Sequence, residues 1–128
     1  MLSVTGVVFA QNQAKEQEAV KAAESWIKLV DDANYAQSWT ESADMLKGTI
    51  TQQQLERSFK GVRESLGKIV TRKVKSIEYT TSLPGAVDGE YFIIQFESSF
   101  ENKKTALEVV IPMLQKDSTW KVSGYYIR

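Results

Sequence analysis

The chain has 128 residues, enough to bury one hydrophobic core, and no Pro/Gly/Ser-rich linker divides it. Its 16 Lys and Arg balance its 16 Asp and Glu, so no global field gathers nucleic acid or anionic lipid. The absence of cysteine excludes disulfides, thiol nucleophiles and thiolate metal ligands, and the absence of histidine removes the usual neutral-pH proton shuttle and the commonest metal ligand. Carboxylate, Tyr, Lys or Ser chemistry stays open, but the composition weighs against an enzyme and calls for no cofactor or metal.

The first residues, MLSVTGVVFAQ, are apolar and small as far as Val8-Phe9-Ala10, and a polar run begins at Gln11. That pattern resembles a signal-peptidase cleavage site. Residues 1–10 are therefore expected to be residual signal peptide, residues 15–128 a single α+β domain, and the location periplasmic or secreted. No stretch approaches the ~20 apolar residues that a membrane span needs.

From Glu16 to Asp31, Ala19, Val20, Ala23, Trp26, Ile27 and Val30 lie on one stripe of a helix. Asn34 with Gln37 has the spacing of a capping box for a second helix, with Tyr35, Trp39 and Leu46 inward and Gly48 as its stop. Thr51 with Gln54 repeats the capping box for a third, flanked by Ile50 and Leu55 at the positions of a hydrophobic staple. Leu55, Phe59, Val62 and Leu66 then share a face, and Gly67 ends the helix.

After Gly67 the hydrophobic period becomes two. Val70 and Val74 sit on one parity, Ile77 and Tyr79 on the other, which predicts a bulge near Lys75 and Ser76. Phe92, Ile94, Phe96 and Phe100 form the inner face of the second strand; Leu107, Val109, Ile111 and Met113 that of the third; Trp120, Val122 and Tyr126 that of the last. Pro112 cannot donate to a ladder and marks a second irregularity. Between the first two strands, Pro84-Gly85 suits a type II turn and Asp88-Gly89 a second reversal, so this loop reads as rigid turn chemistry, with a minority stake in recognition through Leu83 and Val87. The fold class is α+β: three N-terminal helices on a curved four-stranded antiparallel sheet, a cone with an open end.

The blocks YTTSLPGAVDGEYFIIQFESSFENKK, WKVSGYYI and AESWIKLVDDANYAQSW resemble the bacterial domain-of-unknown-function 4019 family from about Glu18 to the C-terminus. The resemblance implies an exported or envelope-associated protein with no assigned activity. Similar sequences tend to carry Gly where Ala33 stands, so strain is expected at the exit of the first helix. The order of elements is also similar to the nuclear transport factor 2-like, ketosteroid isomerase-like and cystatin-like folds, an analogy that does not fix a function.

Among candidate sites, Asp31-Asp32 lacks the loop spacing of a calcium site and reads as a solvated helix end. Lys68, Arg72, Lys73 and Lys75 crowd the first strand; protection of a sheet edge explains them better than a phosphate site. Tyr35, Trp39, Tyr79 and Trp120 are the candidate ligand-binding residues, because large amphipathic rings can line an apolar pocket. The reading that results is a non-catalytic binding or protein-interaction domain for a small apolar ligand or a protein segment. One alternative is a lyase or isomerase with a Tyr/Asp pair in the cone, against which no acid falls on the expected inner strand face. Another is a homodimer through an outer sheet face carrying Tyr91, Ile93, Gln95, Val110 and Tyr125.

Overall fold

The stripe read from Ala19 to Val30 is the buried side of α1 (Val4–Asp31): Ala19, Ala23, Trp26, Ile27 and Val30 are all withdrawn from solvent. A computed structural model describes the backbone of residues 4–128 and the side chains of residues 12–128. Residues 1–3 of the expected signal peptide lie outside the described residues, as do the side chains of residues 4–11. Among the described residues four helices precede the sheet, where three were expected. The second helical segment is two short pieces, α2 (Tyr35–Thr40) and α3 (Asp44–Thr49). The break has a local cause. The Ser42 hydroxyl donates to the Ser38 carbonyl at 2.7 Å and accepts the Trp26 indole N–H at 3.0 Å. The next N–H, on Ala43, donates to the Val122 carbonyl in the sheet at 2.8 Å rather than continuing a helix. Asn34 makes no side-chain cap, and Gly48 lies inside α3 rather than after it.

The second capping box forms as read. Thr51 and Gln54 bond reciprocally at the start of α4 (Gln52–Leu66). Gly67 ends that helix at φ 78°, and a Cβ there would stand 2.9 Å from the Glu101 Cβ, so glycine is required on both counts. Ala33, at the exit of α1, has φ 61°, a left-handed conformation held by an alanine.

The sheet is a meander of β1 (Ile69–Thr80), β2 (Tyr91–Phe100), β3 (Lys103–Leu114) and β4 (Trp120–Ile127), in the order β1-β2-β3-β4, all antiparallel. Register shifts fall between Val74 and Ser76 and between Ile111 and Pro112, where the bulges were expected. Pro84-Gly85 forms the expected turn, with the Ala86 N–H donating to the Leu83 carbonyl at 3.1 Å and Gly85 at φ 77°. The core lies where α1 crosses Phe92, Ile94, Phe96, Val110, Trp120 and Val122.

Two strand faces differ from the sequence reading. Ile94 opposes Val110, Phe96 opposes Glu108 and Ser98 opposes Ala106, and directly opposed residues share a face. The helix-facing residues of β3 are therefore Ala106, Glu108 and Val110, not Leu107, Val109, Ile111 and Met113. This strand is apolar on both parities, so alternation could not decide its face; the register through the β2–β3 hairpin does. On β4 the shift at Pro112 changes the phase, so Tyr125 packs inward against Trp26 while Tyr126 is exposed. The supposed outer dimer face loses three of its five members. Val110 and Tyr125 face the helices, and Tyr91 is fully buried, its hydroxyl donating to the Val87 carbonyl.

Candidate functional site

Six residues from different elements converge on a polar cluster beneath the helices. Asp31 closes α1, Arg63 comes from the last turn of α4, and Arg72, Ser98, Glu108 and Tyr125 come from the four strands in order. Glu108 has no exposed surface, yet it accepts from Arg72 Nε at 2.7 Å, from Arg72 Nη2 at 3.2 Å, and from the Ser98 and Tyr125 hydroxyls. Asp31 accepts from Arg72 Nη1 at 2.8 Å and Nη2 at 3.0 Å, and from Arg63 Nη2. Arg63 also lies 5.0 Å above the Phe100 ring. Two guanidinium and two carboxylate charges cancel, and no buried side-chain polar atom among the described residues lacks a partner.

The electrostatics follow from that pairing. Burial pushes the Asp31 carboxyl upward, but the hydrogen bonds and charges of Arg72 and Arg63 outweigh it and hold Asp31 below its ordinary value. Burial also works against the Arg72 charge, and its bonds to Asp31 and Glu108 more than compensate, raising its pKa. Burial, the Glu108 charge and the bond to Glu108 all raise Tyr125, which therefore stays a phenol and a donor far into the alkaline range. Chemically, this is a neutral and saturated joint between α1, α4 and the sheet.

Sequence reasoning missed most of it. Asp32 is the solvated helix end that was expected, paired with Lys28 on the surface, but its neighbour Asp31 is inside. Lys68, Lys73 and Lys75 are exposed along the edge strand, whereas Arg72 is largely buried and makes contacts that edge protection does not explain. An acid does fall on the inner strand face, and it is Glu108. Arg72 shares its parity with Val70 and Val74, and Arg63 stands one turn after Phe59, so both had a positional signal.

The four candidate ligand-binding residues do not meet in one place. Tyr79 and Trp120 belong to one aromatic row: Phe92 packs between them at ring distances of 5.3 and 5.2 Å, under the N-terminal half of α1. Tyr79 is nearly half exposed and donates to Glu90, which also pairs with Lys15. Tyr35 belongs to a second group, edge-on to Phe59, which contacts Trp26 and Tyr125. Trp39 stands apart, its indole N–H donating to the Ile50 carbonyl at 2.8 Å under the Lys47 ammonium.

A groove of about 230 Å³ opens between α4 and β4, lined by Phe59, Val62, Arg63, Tyr125, Tyr126 and Ile127. Val62, expected on the inner stripe, is 45% exposed because it forms this rim. β4 is an edge strand. Leu107 and Arg128 exchange both backbone hydrogen bonds, at 3.1 and 2.9 Å, so alternation turns the N–H and C=O of Tyr125 and Ile127 away from β3. Farther up the strand the Val122 carbonyl is capped by Ala43, but no such cover is found for Tyr125 and Ile127 among the described residues. No charged side chain stands between Lys121 and Arg128 to blunt this edge.

Among the described residues, no group of His, Cys, Asp or Glu could hold a metal ion, and no helix is long and apolar enough to cross a membrane. A family model described as a protein of unknown function (DUF4019) matches residues 22–125. No curated protein and no solved structure matches the chain.

Proposed function

We propose, for a chain that belongs to the DUF4019 family, a non-catalytic exported binding domain that receives an extended protein segment along the edge of β4. The observation that carries this reading is the pairing of two features at one place: backbone groups at Tyr125 and Ile127 with no partner among the described residues, and an apolar groove beside them. An extended backbone is the ligand chemistry that matches an open strand edge, and alternate side chains of that segment fit a groove lined by Phe59, Val62 and Tyr126. The lysine-studded edge of β1 offers no equivalent.

The lyase or isomerase alternative would rest on Tyr125 and Glu108. Glu108 is sealed from solvent and receives four hydrogen bonds, two of them from a guanidinium, so it has neither free access nor a free lone pair for proton abstraction. Export is supported by the small and apolar Val8-Phe9-Ala10 pattern. Cleavage after Ala10 would leave the buried positions of α1 found among the described residues, from Ala19 onward, in the mature domain.

Selection from a displayed library of random peptides tests the binding reading. Enriched peptides should alternate apolar residues, shift the amide resonances of Tyr125 to Ile127, and lose binding at least tenfold with Val62→Asp and Tyr126→Asp together. Peptides whose shifts map elsewhere, or a library that yields no binder, would overturn it. Export is tested by the mass of the native protein, which should begin at Gln11; a cytoplasmic protein that retains Met1 would overturn it.

A further inference from the structure

A trough of about 780 Å³ lies at the end of the sheet where β2 turns into β3, and no lining residue is common to it and the peptide groove. Lys73 and Lys75 enter it from β1, Lys104 from β3, and Arg128 from the residue after β4. Four cationic side chains thus face one acidic side chain, Glu97, in a chain whose overall formal charge is zero. Glu97 is taken up by Lys73 at 3.3 Å, while Lys75, Lys104 and Arg128 have no ion-pair partner among the described residues. Arg72, which also touches the trough, is committed to Asp31 and Glu108 and adds no free charge.

The trough is also held in shape. Arg128 exchanges two backbone hydrogen bonds with Leu107, which fix its main chain, and its exposed guanidinium lies 5.3 Å over the Tyr126 ring, a contact that favours one orientation. Hydroxyl groups of Thr71, Ser99 and Thr105 line the same surface as further donors. Edge protection accounts for Lys73 and Lys75 on β1, but not for Lys104, which belongs to an interior strand.

From this arrangement we infer that the trough binds a compact polyanion carrying at least two phosphate groups, with Lys75, Lys104 and Arg128 as its cationic contacts. Cations spread over β1, β3 and the residue that follows β4 match a ligand with separated charges better than a single monoanion, and charge-assisted bonds from Lys and Arg with hydroxyl donors are the usual phosphate chemistry. The phosphates could be borne by a free small molecule or by a lipid headgroup; the recognition chemistry is shared.

The test uses the full chain and inorganic pyrophosphate, titrated by amide chemical shift and calorimetry at low and at 0.15 M salt. Saturable binding is expected, with shifts centred on Lys75, Lys104 and Arg128, weaker at the higher salt, and weakened tenfold or more by Lys75→Ala with Lys104→Ala. Both lysines are exposed, so the fold is retained in that variant, which an unchanged melting temperature verifies. Cosedimentation with phosphatidylglycerol vesicles separates the sources: loss of vesicle binding in the same variant assigns a lipid-borne phosphate, and no vesicle binding beside intact pyrophosphate binding assigns a free one. Absence of saturable pyrophosphate binding, or equal binding by the variant, overturns the inference. The peptide groove is untouched by these substitutions, so the two readings fail separately.

Discussion

Replacing Glu108 by Gln keeps the side-chain volume and removes one charge from the buried cluster. In the native protein Arg72 lies between two carboxylates, and Glu108 accepts from Arg72, Ser98 and Tyr125. In the Glu108→Gln variant the cluster holds two guanidinium charges against Asp31 alone, and an amide NH2 is set among groups that all donate. Removing one partner of a buried ion pair costs roughly 3–5 kcal/mol, a large share of the ~5–15 kcal/mol that stabilises a domain of this kind. Urea unfolding followed by Trp fluorescence measures it: the midpoint should fall steeply, with the slope unchanged. Tyr125→Phe, which removes one donor and leaves the charges balanced, should cost only about 1–2 kcal/mol and remains measurable if the Gln variant does not fold. A loss below about 1 kcal/mol for Glu108→Gln would refute the reasoning, since it would mean that water reaches the site and replaces the lost charge.

The acid limb of stability depends on Asp31. Its folded pKa is held below the ordinary ~3.9, so it adds stability above that value and loses it as pH falls from about 4 through the folded pKa; the urea midpoint of the native protein should drop more steeply there than that of Asp31→Asn. Equal slopes in the two proteins would contradict the pairing. Ala33→Gly should stabilise the protein by about 0.5–1 kcal/mol, because relief of a left-handed alanine at φ 61° exceeds the added freedom of the unfolded chain; a lower melting temperature would show that the site is not strained in solution. Thr51→Ala should cost about 1 kcal/mol through loss of the bond from the Gln54 N–H to the Thr51 hydroxyl, the backbone N–H of residue 51 still donating to Gln54, and a change below a few tenths would show that water replaces the lost acceptor.

What could be read from the sequence was local. The stripe of α1, the Thr51–Gln54 cap, the Gly67 stop, the Pro84-Gly85 turn and the irregularities near Ser76 and Pro112 each depend on residues within a few positions of one another, and each is present. The errors arose where a distant partner decides. Tyr35 to Gly48 reads as one helix until the Trp26 indole and the Val122 carbonyl claim Ser42 and Ala43. β3 is apolar on both parities, so its facing depends on pairing with β2, and with it the fate of Glu108. Once Glu108 is turned inward, its neighbours become consequences. A carboxylate on that face must be met by a cation, Arg72 stands on the same face two strands away, and the surplus guanidinium draws in Asp31 from the end of α1. The cluster thereby sets where α1 and α4 sit on the sheet, and the position of α4 relative to β4 is what leaves the Tyr125–Ile127 edge open beside Val62. The missed joint and the proposed binding edge are thus one structural fact: Arg63 of α4 ties down Asp31 and Tyr125, and together with its chain neighbour Val62 it lines the groove beside that edge.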